Sequence, residues 1–298
     1  MTVSPRWLAV LRRRCLSPEP GERKVPASPL EEKARRGFRS LGSRRLRALT
    51  WEETARRIHR ARILLAGSWH PLALQAEWTG SLAARLAGRG ANLVLALGMV
   101  RSDTLRRGRT PRGIPGEFLP ALFRGLERAG RARERVRLLG LGEWNRGLGE
   151  YGPLLKALFS RVREGEKVLL FHGELHLLPP FLPRTLAKHL PSGEIRVLWP
   201  GAPGPFLRLS GKGNPWTPAL LERGDLYLPL CHPLHRNASL WAWRERAPLL
   251  PPTRRTPWLP REPGLPDSFR KLAGRVARVL GLPRPHALPV VTFEEDDP

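Results

Sequence analysis

Short apolar runs alternate along this chain with stretches whose apolar residues recur at helical spacing, a pattern that predicts parallel strands joined by helices. Ala61 to Ala66 and Lys167 to Phe171 have the length and composition of strands buried on both faces, and Asn92 to Met99, Arg135 to Leu141 and Ile195 to Trp199 read as further strands. Asp225 to Leu230 alternates enough to be a further strand. Between these runs, Thr50-Trp51-Glu52-Glu53 has capping-box spacing and opens a helix through Ile58. Leu74, Trp78, Leu82 and Leu86 form an apolar stripe that Gly88 and Gly90 end. Helices are also predicted over 117–129, 151–162 and 180–190, and residues 101–116 read as a basic loop. Gly201 to Pro218 is too rich in Gly and Pro for more than a short strand at Phe206 to Leu209. Near the end, Phe269, Leu272, Ala273, Val276 and Leu280 share one helical face, with Asp267 or Ser268 as cap and Gly281 and Pro283 as stop.

The fold class that follows is α/β: a mostly parallel sheet with helices on both faces, its strand–helix–strand units right-handed. Residues 1–45 mix Pro, Ser and Arg with few large apolar residues and are expected to form a disordered basic arm. Residues 46–247 make the α/β domain, 248–266 a Pro-rich linker, and 267–298 a helix docking on the domain followed by an acidic tail.

Charge changes the picture in one respect. The 298 residues carry 52 Lys plus Arg against 26 Asp plus Glu, a formal +26 that is a footprint of nucleic acid or anionic surfaces. Only seven of the 52 are Lys, and the bias toward Arg runs the length of the chain, as compositional drift also produces. Cys15 and Cys231 are the only cysteines, which excludes a disulfide framework and a Cys-based zinc ribbon. Arg12, Arg13 and Arg14 interrupt the one short apolar run near the start, and no stretch approaches the length of a membrane span, so the expected location is the cytoplasm. Phosphate-cradling loops, dinucleotide fingerprints and zinc-finger spacings are all missing.

Two Gly-x-x-His tetrapeptides carry the candidate chemistry: Gly67-Ser68-Trp69-His70 and Gly173-Glu174-Leu175-His176 each follow a predicted buried strand directly. Ligands of open α/β sheets sit outside the carboxyl ends of the strands, so His70 and His176 are placed to converge on one crevice. Gly67 and Gly173 permit tight turns there, and Glu174 adds a carboxyl group. The competing reading of each His is a strand-end turn that satisfies neighbouring backbone groups. His172, two residues before Glu174, shares its face if the strand stays extended, but reads first as a hydrogen-bonded core residue. His232 and His235 flank Pro233 and are weaker metal-ligand candidates. Trp69, Trp199, Trp216, Trp241, Trp243 and Trp258 read mostly as packing, and neither Tyr151 nor Tyr227 has a local signal as a haem ligand.

These residues, in this order, resemble the ChaN-like haem-binding uptake family, whose wider superfamily includes the Tiki and TraB proteins and the erythromycin esterases. The likeness covers about residues 45–295 and rests on the first Gly-x-x-His, on LVLALGMV at 93–100, on GELHLLPPFLP at 173–183, on HPLHRNASLWAW at 232–243, and on the final helix ending in LGLP. In the HPLHRNASLWAW segment, Pro233, Leu234, Arg236, Ser239 and Trp243 match the family. The resemblance implies a haem or metal-bearing ligand, with His70, Glu174 and His176 at the site and His70 and His176 as possible metal ligands. Two acidic positions of the family are occupied here by Ser68 and Gly98, which implies a catalytically degenerate member. Two alternatives stay open: a metal-assisted hydrolase of the Tiki and esterase type, and binding of nucleic acid or an anionic surface through the arm and the loop at 101–112.

Overall fold

The structure is a computed structural model that describes residues 28–42, 45–68, 73–106, 118–142, 148–212, 214 and 216–230. The Pro-rich linker, the helix expected at 267–280, the acidic tail and the matched segment at 232–243 lie outside the described residues.

Among the described residues eight strands form one sheet: β1 (Leu46–Ala48), β2 (Ile63–Ser68), β3 (Leu93–Leu97), β4 (Val136–Gly140), β5 (Lys167–Gly173), β6 (Ile195–Pro200), β7 (Ala219–Leu221) and β8 (Leu226–Leu228). Their spatial order is β1-β7-β8-β6-β2-β5-β3-β4. The six strands from β8 to β4 are mutually parallel, and β7 alone runs against the rest. The fold class expected from the apolar runs is the one observed.

The period-two alternation of side chains sends each apolar run to both sides of the sheet. Ile63, Leu65, Val168, Leu170 and Val197 enter one core; Leu64, Ala66, Leu169, Phe171 and Leu198 enter the other. The first core is covered by α1 (Pro29–Arg39), α6 (Gly152–Phe159), α7 (Leu182–Leu186) and α8 (Pro203–Ser210). The second is covered by α2 (Trp51–Arg60), α3 (Ala73–Gly88) and α5 (Phe118–Glu127). The short α4 (Ser102–Arg106) lies within the stretch read as a loop.

Local chemistry accounts for most boundaries. Thr50 accepts the Glu53 N–H at 3.0 Å on its side-chain oxygen, the cap its spacing predicts. Further elements depart from expectation. The segment read as a short strand at 206–209 is helical in α8, because Pro203 and Pro205 fall in the first turn, where backbone N–H groups have no helical partner to lose. Part of the stretch expected as a disordered arm is α1. Its Ser28 cap accepts from Glu31 N–H, Pro29 opens it, and Ala34 and Leu41 are fully buried against the first core. The helix predicted at 180–190 is regular only over Leu182–Leu186. In α3 the leucine stripe is only partly buried, and the side that meets α5 and the turn after it carries Glu77, Gly80 and Ser81. A Cβ on Gly80 would fall 2.1 Å from the Leu122 carbonyl oxygen, and one on Gly125 would fall 2.1 Å from that of Glu77, so the two helix backbones touch there.

This routing places the site. From β2 the chain leaves over the second core through α3 to β3; from the adjacent β5 it leaves over the first core through α7 to β6. Neighbouring strands whose continuations diverge open a crevice at their carboxyl ends. Here those ends are Ser68 and Gly173, which lie opposite each other in the register.

Candidate functional site at the carboxyl ends of β2 and β5

At the end of β5 the backbone passes from Gly173 into a 3₁₀ turn, Glu174–Leu177, and this turn separates residues that an extended strand would align. His172 is buried and lies over Gly98, just past β3: a Cβ at position 98 would sit 2.4 Å from its Cδ2. Its Nδ1 accepts the Gly173 N–H at 2.7 Å, which places the proton of the neutral ring on Nε2. Glu174 swings the other way, over Gly67, where an added Cβ would be 3.2 Å from its Cγ. It is buried, with Gln75 Nε2 3.5 Å from Oε1; the same Nε2 donates to the Pro200 carbonyl at 2.6 Å. His172 and Glu174 therefore do not share one face, because the turn at Gly173 ends the alternation.

His176 returns to the crevice from the turn. Its ring centroid lies 4.4 Å from that of His172, tilted by 35°, and 5.8 Å from that of Tyr151, which meets it edge-on. The Tyr151 hydroxyl is 3.1 Å from His176 Nδ1. Burial holds the His176 pKa down from 6.5 to about 4, so the ring is neutral near pH 7. Burial also raises the Tyr151 pKa to about 12, partly opposed by the Gly149 N–H, so its phenol stays protonated. Either Tyr151 O–H donates to Nδ1 and leaves the proton of the imidazole on Nε2, or Nδ1–H donates to the phenol oxygen and leaves an Nε2 lone pair. Beyond Nδ1, His176 has no hydrogen bond to another described residue.

Gly67, Gly173, Glu174 and His176 thus meet at one strand end with His172 beside them, while His70, His232 and His235 lie outside the described residues. Tyr151 and Gln75 are the additions. Gln75 had a signal, being a polar residue on a face of small and apolar ones; Tyr151 had none beyond standing just before a helix. Trp199 and Tyr227 are core residues, with Trp199 donating to Asp225 at 3.3 Å, and Trp216 packs edge-on against Phe206; none of them lines the crevice. Among the described residues no group of three or more His, Cys, Asp and Glu is arranged to hold a metal ion, and no helix is long and apolar enough to cross a membrane. A cavity of about 470 Å³ lies at the opposite, amino ends of β2 and β5, lined by Arg60, Arg62, Glu166 and Lys167 among others. Another, of about 330 Å³, lies between α3 and the end of α5.

No protein-family model and no curated protein matches this chain. Among solved structures it is similar to RRSP, a MARTX toxin effector domain from Vibrio vulnificus CMCP6, at 16% identity over 57% of this chain and 36% of that one, with a TM-score of 0.28. The match spans about a third of that chain's length, and an overlap at this score does not establish a shared fold.

Proposed function

We propose that this chain is a ligand-binding protein of the ChaN-like type, taking a haem or other metal-bearing ligand at the β2–β5 crevice through Nε2 of His176. One observation carries the reading: an imidazole kept neutral by burial, with Nδ1 on a protonated tyrosine and Nε2 without a hydrogen bond to any described residue. A neutral imidazole is the donor that haem iron and zinc accept, and an outer hydrogen bond at the second ring nitrogen orients such a ligand. The residues present fit the group in donor chemistry. His176 would hold the metal, Tyr151 would fix the ring, and the bound metal would supply a Lewis-acid or redox centre.

Binding rather than turnover is favoured by what stands at the acidic positions of the family. Ser68 is buried at the end of β2, and the space above Gly98 is filled by the His172 ring, so a carboxylate at position 98 would displace it. Glu174, the carboxyl group of the turn after β5, is tied through Gln75 to Pro200 at the end of β6.

Haemin titration followed by visible absorbance at moderate salt tests the proposal. The expected result is a saturable, shifted band that His176→Ala abolishes and Tyr151→Phe moves without abolishing. A band indifferent to His176→Ala, or no band in the wild type, would overturn the haem assignment.

A further inference from the structure

Away from the crevice, the carboxyl-terminal end of α3 and the turn after α5 place seven arginines on two adjoining segments, residues 77–90 and 124–135, against three glutamates. All seven are exposed. Glu77 is taken up by Arg124 and Arg128. Arg85, Arg89, Arg131, Arg133 and Arg135 form no ion pair among the described residues. The two segments touch: a Cβ on Gly90 would meet Arg135 Nη1 at 3.5 Å, and the cavity of about 330 Å³ between them is flanked by Arg85 and Arg128. Its floor is Ala84, Gly88 and Ala129, and a Cβ at Gly88 would meet nothing within 4 Å.

We infer that this surface binds the phosphodiester backbone of duplex nucleic acid, with Arg85, Arg89, Arg131, Arg133 and Arg135 taking successive phosphates, while Arg128 stays held by Glu77 and Ser81 at the edge of the cavity. Guanidinium forks match phosphate oxygens two at a time, and the small residues of the floor let the backbone approach. The surface does not suit a bilayer. The large apolar side chains exposed among the described residues, Leu30, Trp51, Phe159 and Trp216, all lie outside these two segments, so there is nothing here to insert. The inference does not depend on the crevice or on any haem.

The test compares the full chain with two triple variants of equal charge change. R85Q/R131Q/R135Q strips the surface; R56Q/R184Q/R223Q removes three exposed arginines from other parts of the fold, also without ion pairs among the described residues. Anisotropy of a labelled duplex of about 20 base pairs is read from about 50 to 200 mM salt, where each lost phosphate contact removes about 0.9 from the log–log slope. The surface variant should lose about tenfold per arginine at about 50 mM, with a shallower slope, and the control far less. Equal losses in both variants, no binding by the wild type, or tighter binding to phosphatidylserine vesicles than to the duplex would overturn the inference. Should the triple variant melt early, R85Q alone carries the comparison, with about a third of the loss in log K.

Discussion

His176 titrates far from where a free imidazole does, and this ties the crevice to stability. Burial lowers its pKa in the folded chain from 6.5 to about 4, so the unfolded chain binds a proton that the folded one refuses. Its contribution is complete above pH 6.5, falls as the pH drops toward 4, and totals about 3 kcal/mol across that window. Urea unfolding of the wild type should show that slope, and His176→Gln should flatten it. Position 98 offers a second test. Gly98→Ala drives a Cβ into His172 and should cost about 1–3 kcal/mol, while Gly98→Ala/His172→Ala should recover most of the loss, a coupling that a double-mutant cycle measures. The glycine and histidine spacings made Gly67, Gly173, Glu174 and His176 legible as a group. Tyr151 was not, and Gln75 showed only as a polar residue on a small, apolar face, because their partners are 25 and 99 or more residues away in sequence and no local pattern names such a distant contact.

At the scale of elements, the contact between α3 and α5 shows what apolar periodicity leaves out. Leu74, Trp78 and Leu82 mark a stripe, yet the closest packing uses the residues with least side chain, since only they let two backbones meet. Gly80→Ala and Gly125→Ala should each destabilise by about 1–3 kcal/mol and combine less than additively, because the first to part the helices makes room for the second. Gly88→Ala, at a position with open space around it, should be neutral or slightly stabilising, and thermal melts of the three variants check the contrast. The helix α8 was missed for a related reason: Pro203 and Pro205 look like breakers until their place in the first turn is known. Strands β1 and β7, at three residues each, are too short for any period to register.

For the whole molecule, fold class was legible and strand order was not. Continuous apolar runs say that strands are buried on both faces, but runs of Leu, Val and Ala resemble one another too closely to name their neighbours. The order that emerges has a consequence for synthesis. Ile63 of β2 pairs with Val168 on one side and Ile195 on the other, so both neighbours of the central strand are made after most of the sheet's first half. At ribosomal speeds of about 5–20 residues per second, β2 waits on the order of 5 to 20 s for its first partner. Throughout that interval the emerging chain carries an unpaired strand whose six residues are all buried in the finished fold. Translation therefore passes through an aggregation-prone stage that a chaperone's apolar groove is suited to cover.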